Sequence, residues 1–168
     1  MPKLIKHREV INDSWTLVQQ PDEVDPAKLE DGCWILPFET YRSLADNLKS
    51  SERIGFWLPN DIELGTVQEY LNTAPVIAIH FPVFSDGRGF SIARSLRDRY
   101  DYRGELRVIG NYLPDQLYYL SRCGFDAFAL AEELSVPEIQ EILERFSDFT
   151  EHYQAATDDP QPLFRRRA

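Results

Sequence analysis

The feature of this sequence that most constrains its fold is a regular alternation of short apolar runs with stretches of helical spacing. The first run, Cys33–Pro37, is followed by Tyr41, Leu44 and Leu48 at spacings of three and four residues. Further apolar runs follow at 54–58, 76–81, 106–109 and 127–130. Because parallel strands joined by crossover helices produce this rhythm, we expect an α/β fold of five strand–helix units.

The predicted strands are apolar along their whole length, which is typical of strands covered by helices on both faces. We therefore expect a mostly parallel open sheet with helices on both faces. Five units are too few for a closed barrel of eight strands, so a partial β/α barrel is the alternative. In the second unit, Asn60 and Glu63 have the spacing of a capping box, which predicts a helix over 61–71.

The N-terminal residues 1–20 form a separate pattern. Two segments with apolar residues, 4–11 and 15–18, flank the turn-prone residues 12–14, which predicts a β-hairpin preceding the sheet. The acidic, proline-containing segment 21–30 is predicted to be a surface linker.

Length and composition indicate one domain. A chain of 168 residues with 43% hydrophobic content can bury one sizeable core but is short for two ordinary domains. We place this single domain at 1–156. The last residues, 157–168, contain an acidic proline segment and three consecutive arginines, and we expect them to form a flexible tail.

Charge and residue usage exclude several classes of protein. A formal net charge of −10 disfavours nucleic-acid binding, because nucleic acid is itself a polyanion. The chain starts without an apolar leader and has no apolar run long enough to span a membrane, which together with only two cysteines predicts a cytoplasmic protein. The three histidines lack metal-ligand spacing, so we expect no metal site.

Segment 85–97 is the strongest candidate site. It joins the third strand to its helix through two glycines and carries three arginines in an otherwise acidic protein. Backbone N–H groups at a helix start, together with guanidinium groups, favour phosphate, sulfate or carboxylate, and Arg94 and Arg97 are spaced to face one partner. The predicted ligand-binding residues are Ser85, Gly87, Arg88, Gly89, Ser91, Arg94 and Arg97, with Asn111 and Gln116 after the next strand.

Other interpretations of these residues stay open. The glycines can serve a turn, Asp86 can cap the helix, and the arginines can pair with carboxylates such as Asp98 and Asp101. If the third and fourth strands are adjacent, Asp86 and Asp115 could instead act as acid and base in one cleft. Asp115 also suits the first turn of a helix, where an acid stabilises the dipole. His80, inside the third strand, is predicted to be a core histidine.

The sequence also resembles a known family. The segment FPVFSDGRGFSIARSLRDRYDYRGELRVIGNYLPDQLYYLSRCGFDAF, and within it SDGRGFSIAR, GELR and RCGFDAF, is similar to a bacterial family of unknown function, family 934. Its members are commonly labelled oxidoreductases involved in sulfite reduction. The resemblance runs from Cys33 to about Gln154. Relatives often have an acid and a base where this chain has Asn111 and Pro114, whereas Asp115 and Gln116 match.

The resemblance implies a role in assimilatory sulfate or sulfite reduction. Reducing sulfite requires a cofactor that carries electrons, but the chain has too few cysteines for an iron–sulfur cluster and lacks the usual nucleotide-binding motifs. The cofactor therefore stays unknown. We expect an accessory protein that binds an anionic small molecule or a partner such as sulfite reductase through 85–97.

Two alternatives remain. The first is an enzyme acting on a sulfur- or phosphate-containing small molecule, with Asp86 and Asp115 as acid and base. The second is a structural oligomer subunit that associates through Tyr112, Tyr118 and Tyr119. The sequence does not predict an oligomeric state.

Overall fold

The computed structural model describes residues 3–21, 24, 26–48, 52–130, 134 and 136–148, so the predicted tail at 157–168 lies outside the described residues. Eight strands form one sheet within these ranges. The strands are β1 Lys3–Lys6, β2 Glu9–Asn12, β3 Trp15–Leu17, β4 Cys33–Pro37, β5 Ile54–Leu58, β6 Val76–Phe81, β7 Glu105–Gly110 and β8 Ala127–Ala129.

The described residues also form four α-helices and several short 3-10 helices, which lie between the strands except for the last α-helix, which follows the last strand. Within the described ranges, every helix is too short or too polar to cross a membrane. The α-helices are α1 Phe38–Leu48, α2 Arg88–Asp98, α3 Leu117–Arg122 and α4 Val136–Asp148. The 3-10 helices are Pro26–Asp31, Leu64–Thr66, Gln68–Tyr70 and Pro114–Gln116.

The strand order makes the sheet a curled half-barrel. The order is β2-β1-β8-β7-β6-β5-β4-β3, and the six strands from β3 to β8 are parallel neighbours in chain order. Successive right-handed crossovers in one direction place their helices on the same side of a sheet. The predicted open sheet with helices on both faces is therefore wrong, and the partial barrel is the correct alternative.

The packing shows the same one-sided arrangement. The main core contains residues from all four α-helices, for example Tyr41, Leu96, Leu120 and Ile142, together with one face of the strands. A smaller cluster on the other, concave face consists of strand residues: Ile35, Val76, Ala78 and Ile109. The strands are apolar on both faces because the sheet curls over this second cluster, and not because helices cover it.

The second strand–helix unit differs from the prediction. Strand β5 is followed by the 3-10 helices Leu64–Thr66 and Gln68–Tyr70 instead of an α-helix over 61–71. Asn60 does not cap them, since Glu63 holds the N-cap position. Val67 and Leu71 are buried at the ends of these 3-10 helices without an α-helix, and Gly65 makes an α-helix less favourable by about 1 kcal/mol.

The N-terminal hairpin is present, but its turn lies earlier than predicted. Strands β1 and β2 pair antiparallel, and His7 and Arg8 form the two-residue connection with φ values of 53° and 64°. Positive φ at both positions is the geometry of the type I′ turn, which matches the twist of paired strands. The predicted turn at 12–14 is wrong because β3 pairs with β4 at the opposite edge of the sheet.

This topology brings the two edges of the sheet close together. Strand β2 ends at Asn12 on one edge and β3 begins at Trp15 on the other. Three steps of 3.8 Å limit the distance between their Cα atoms to about 11 Å. Residues 12–15 therefore cross the open side of the half-barrel, and Asp13 is buried there.

Candidate functional site

The loops that follow β6 and β7 lie side by side at the carboxyl edge of the sheet. These strands are adjacent, with Phe81 opposite Gly110. Asn111 donates its backbone N–H to the Phe81 carbonyl at 2.7 Å and its side-chain amide to the Pro82 carbonyl at 2.8 Å. Gln116 donates its side-chain amide to the Phe84 carbonyl at 3.1 Å. The two predicted ligand-binding amides thus fasten the loops to each other.

Asp86 and Arg88 form a bidentate ion pair at the start of α2. Arg88 Nη2 lies 2.7 Å from Asp86 Oδ2, and Arg88 Nε lies 3.0 Å from Asp86 Oδ1. The backbone N–H of Arg88 also donates to Oδ1. Hydrogen bonds from Arg88 hold the pKa of Asp86 well below its usual range. The carboxyl group therefore stays ionised at neutral pH, which makes it a poor proton donor.

Asn60 brings a third strand end to this region. It follows β5, is 6% exposed, and has a side-chain nitrogen that makes no hydrogen bond to any described residue. Its amide is near enough to Asp86 to contribute to the lowered pKa of that carboxyl, and Asp61 acts electrostatically on Arg88. The sequence placed Asn60 at a helix cap, so its position beside Asp86 was not predicted.

Arg94 and Arg97 do not face one partner, contrary to the prediction from their spacing. Arg97 turns toward the protein and donates to the carbonyls of Tyr102, Gly104 and Gly124 at 2.6, 2.9 and 3.0 Å. It also pairs with Asp126. Arg97 is therefore a structural residue that connects α2 to two loops.

Arg94 behaves differently. Its Nε lies 2.5 Å from Asp98 Oδ2 in an exposed pair one helical turn apart, and its Nη1 donates to the Arg122 carbonyl at 3.4 Å. The pairing of an arginine with Asp98 was one of the alternatives left open by the sequence. The other carboxylate considered, Asp101, pairs with Arg103.

The two glycines of the segment have different surroundings. Gly87 is the N-cap of α2 and has no close neighbour that a Cβ atom would meet within 3.4 Å. A Cβ atom on Gly89 would lie only 2.4 Å from the Phe81 ring. Gly89 is thus required for the packing of α2 on β6, while Ser85 and Ser91 are exposed.

Three large apolar side chains are exposed on the fastened loops. Val83 is 50% exposed, Phe84 54% and Leu113 41%. We call these three residues, with the Asp86–Arg88 pair beside them, the carboxyl-edge surface. The apolar members were not predicted from the sequence, although the apolar pair Val83 and Phe84, which follows Pro82 at the end of a strand, indicates such a surface.

The remaining candidates occupy other positions. Asp115 is exposed within Pro114–Gln116, in the first turn as predicted. His80 packs its ring 5.7 Å from that of Trp57, and burial lowers its pKa. Tyr112 turns inward and donates to the Ala129 carbonyl, whereas Tyr119 is 57% exposed. In the described ranges, no cluster of three His, Cys, Asp or Glu residues has metal-binding geometry.

Fold and site together define a half-barrel α/β protein with a mixed apolar and charged surface at the carboxyl edge of its sheet. Residues 55–164 match the family described as "Bacterial protein of unknown function (DUF934)". Since the match covers about two thirds of the chain, this chain belongs to that family. The matched region includes both loops of the carboxyl-edge surface. No curated protein and no solved structure matches the chain.

Proposed function

We propose that this chain is an accessory protein of assimilatory sulfate or sulfite reduction, and that it binds a partner enzyme through the carboxyl-edge surface. The observation that carries the proposal is the exposure of Val83, Phe84 and Leu113 on two loops that hydrogen bonds fasten together. Clustered apolar side chains on a rigid support are typical of protein docking sites. The family resemblance supplies the choice of partner, sulfite reductase or another enzyme of sulfate assimilation.

A protein partner suits this surface better than a small anion. Arg88 already holds Asp86 in a bidentate pair, so an anion has to displace a carboxylate from the same loop. A protein partner can leave that pair in place as a polar rim while it buries the neighbouring apolar side chains. Of the two remaining arginines, Arg94 forms an ion pair with Asp98 and Arg97 forms one with Asp126.

The acid–base alternative receives less support from the geometry. Asp86 is held in its ionised form by Arg88, so it cannot readily donate a proton at neutral pH. The low pKa also makes it a weak base. The proposal therefore assigns Asp86 to the rim of a docking surface and requires no catalytic step by this chain.

The test is a binding titration between the purified protein and purified sulfite reductase, followed by the other enzymes of sulfate assimilation. The variant Val83→Ser/Phe84→Ser/Leu113→Ser removes the apolar part of the carboxyl-edge surface. The variant Val10→Ser/Ile11→Ser is the matched control, because these side chains on β2 are similarly exposed at 37% and 40%. Circular dichroism and thermal unfolding establish that both variants fold.

We expect the triple variant to weaken binding at least about tenfold, since truncated hot-spot residues typically cost more than 1 kcal/mol each. The control variant should bind like the wild type. Equal affinity of the triple variant and the wild type would refute the proposed surface. Absence of binding to every enzyme, with self-association detected by sedimentation, would instead support the oligomer alternative.

A further inference from the structure

A groove between α2 and α3 has features that the proposed function does not use. It has a volume of about 450 Å³, within the range of small-molecule sites. Its lining combines aromatic, hydroxyl and cationic side chains around a cysteine. The lining includes Phe90, Ser91, Arg94, Ser95, Tyr119 and Arg122.

One wall of the groove is aromatic. The rings of Phe90 and Tyr119 pack against each other with centroids 5.0 Å apart. Phe90 is further supported by the buried Phe81 ring at 5.2 Å. Tyr119 nevertheless remains 57% exposed, so a face or edge of its ring is open to a planar ligand.

The groove lining also contains two arginines, Arg94 and Arg122. Arg122 forms no ion pair within the part of the chain that the structure describes, and its charge acts on the same Cys123 thiol as that of Arg94. Arg94 uses Nε and Nη1 in the contacts with Asp98 and the Arg122 carbonyl, whereas its Nη2 makes no hydrogen bond to a described residue. Two guanidinium groups thus approach one small volume in a protein of net charge −10.

The two serines complete the donor set. Ser91 and Ser95 are one helical turn apart on α2, so both hydroxyl groups are on the side of the helix that faces the groove. Guanidinium and hydroxyl donors together suit the several oxygens of a phosphate group, whereas a carboxylate offers only two oxygens. Burial raises the pKa of Cys123, which keeps the thiol protonated and indicates binding rather than covalent chemistry.

From this juxtaposition we infer that the α2–α3 groove binds a nucleoside phosphate, with its phosphate on Arg94, Arg122 and the two serines and its base against Tyr119. The inference is independent of the proposed function, because the groove residues are separate from Val83, Phe84 and Leu113. A ligand in this groove also leaves the Asp86–Arg88 pair in place, because neither residue lines the groove.

The test is isothermal titration of the purified protein with adenosine and guanosine monophosphates, unphosphorylated adenosine and inorganic phosphate. Arg122→Gln removes a guanidinium that forms no ion pair with a described residue, and Tyr119→Leu removes the exposed ring of the aromatic wall. Arg103→Gln is the matched control, since it removes an exposed arginine outside the groove lining. Thermal unfolding of each variant verifies that its fold is retained.

We expect Arg122→Gln to weaken nucleotide binding about tenfold or more, which corresponds to the loss of one charged hydrogen bond. Tyr119→Leu should weaken the binding of the nucleotides while leaving the affinity for inorganic phosphate unchanged. Arg103→Gln should change neither affinity. The inference is overturned if the wild type binds no nucleotide, or if Arg122→Gln and Arg103→Gln bind nucleotides equally. Loss of nucleotide binding with unchanged partner binding would separate this site from the carboxyl-edge surface.

Discussion

Arg107 and Asp13 form a buried ion pair across the concave face of the half-barrel, although 94 positions separate them in the sequence. Arg107 Nη1 lies 2.6 Å from Asp13 Oδ2, and the side chains are only 2% and 9% exposed. Arg107 also donates to Glu105, which in turn accepts from Lys6 of β1 at 2.6 Å. The network therefore ties the N-terminal segment, which links the two edges, to a central strand.

Removing one member of this pair should destabilise the protein strongly. Arg107→Met leaves the Asp13 carboxylate buried without its cation, and breaking a buried pair costs about 3–5 kcal/mol. Urea unfolding should show a loss of this size. Arg103→Met, which breaks an exposed pair with Asp101, should cost less than about 1 kcal/mol. Similar losses in the two variants would contradict a structural role for the concave network.

The second prediction separates the two arginines of α2 that the sequence treated alike. Arg97→Met leaves three carbonyls without their donor, and we expect a loss of about 2–4 kcal/mol in urea unfolding. Arg94→Met breaks an exposed pair one turn along the helix and one long hydrogen bond to the Arg122 carbonyl, and should cost about 0.5 kcal/mol. If both variants lose the same stability, the assignment of Arg97 as a connecting residue is incorrect.

Much of the local structure was predictable from the sequence, because it depends on near neighbours. The apolar runs marked β4 to β8, and Gly124 marked the end of α3, where it has a φ of +107°. Strand order was not predictable, since apolar periodicity specifies which face is buried and not which strand is adjacent. The helix expected at 61–71 is absent because Val67 and Leu71 become buried at the ends of two 3-10 helices instead.

The candidate site was predictable only in part. The sequence identified Asp86, Arg88, Asn111 and Gln116, all of which lie in or beside the two fastened loops. It could not show that Arg88 is occupied by Asp86, because pairing depends on side-chain geometry in the loop. Arg122 belongs to the segment RCGFDAF that carries the family resemblance, but nothing in the sequence marked it as a ligand-binding residue, and only the packing of α3 against α2 brings it to a groove.

The third prediction concerns the close approach of α2 to β6. Gly89→Ala places a methyl group 2.4 Å from the Phe81 ring, which is itself packed against Phe90 and Phe125. Overpacking of this kind costs about 1–3 kcal/mol. Gly65→Ala is the matched control, since its new methyl group meets no atom within 4 Å. Thermal unfolding should separate the two, and equal midpoints would show that α2 can move away from β6.

The last prediction is a pH dependence that comes from His80. Partial burial beside Trp57 lowers the pKa of His80, so the folded protein keeps this imidazole neutral at a pH where the unfolded chain has begun to protonate it. Because the unfolded state then binds more protons, stability should fall as the pH drops below about 6.5, the ordinary histidine value, until it reaches the folded pKa.

The variant His80→Gln removes this titration and keeps a polar side chain of similar size. The difference in unfolding free energy between wild type and variant, measured by urea unfolding from about pH 8 to pH 5, isolates His80 because the other titrating groups are common to both. At pH 8 this difference reports packing alone. We expect it to shift in favour of the variant as the pH falls. A difference that stays constant over this range would mean that the folded protein does not hold His80 neutral, and the imidazole would then have access to solvent at the concave face.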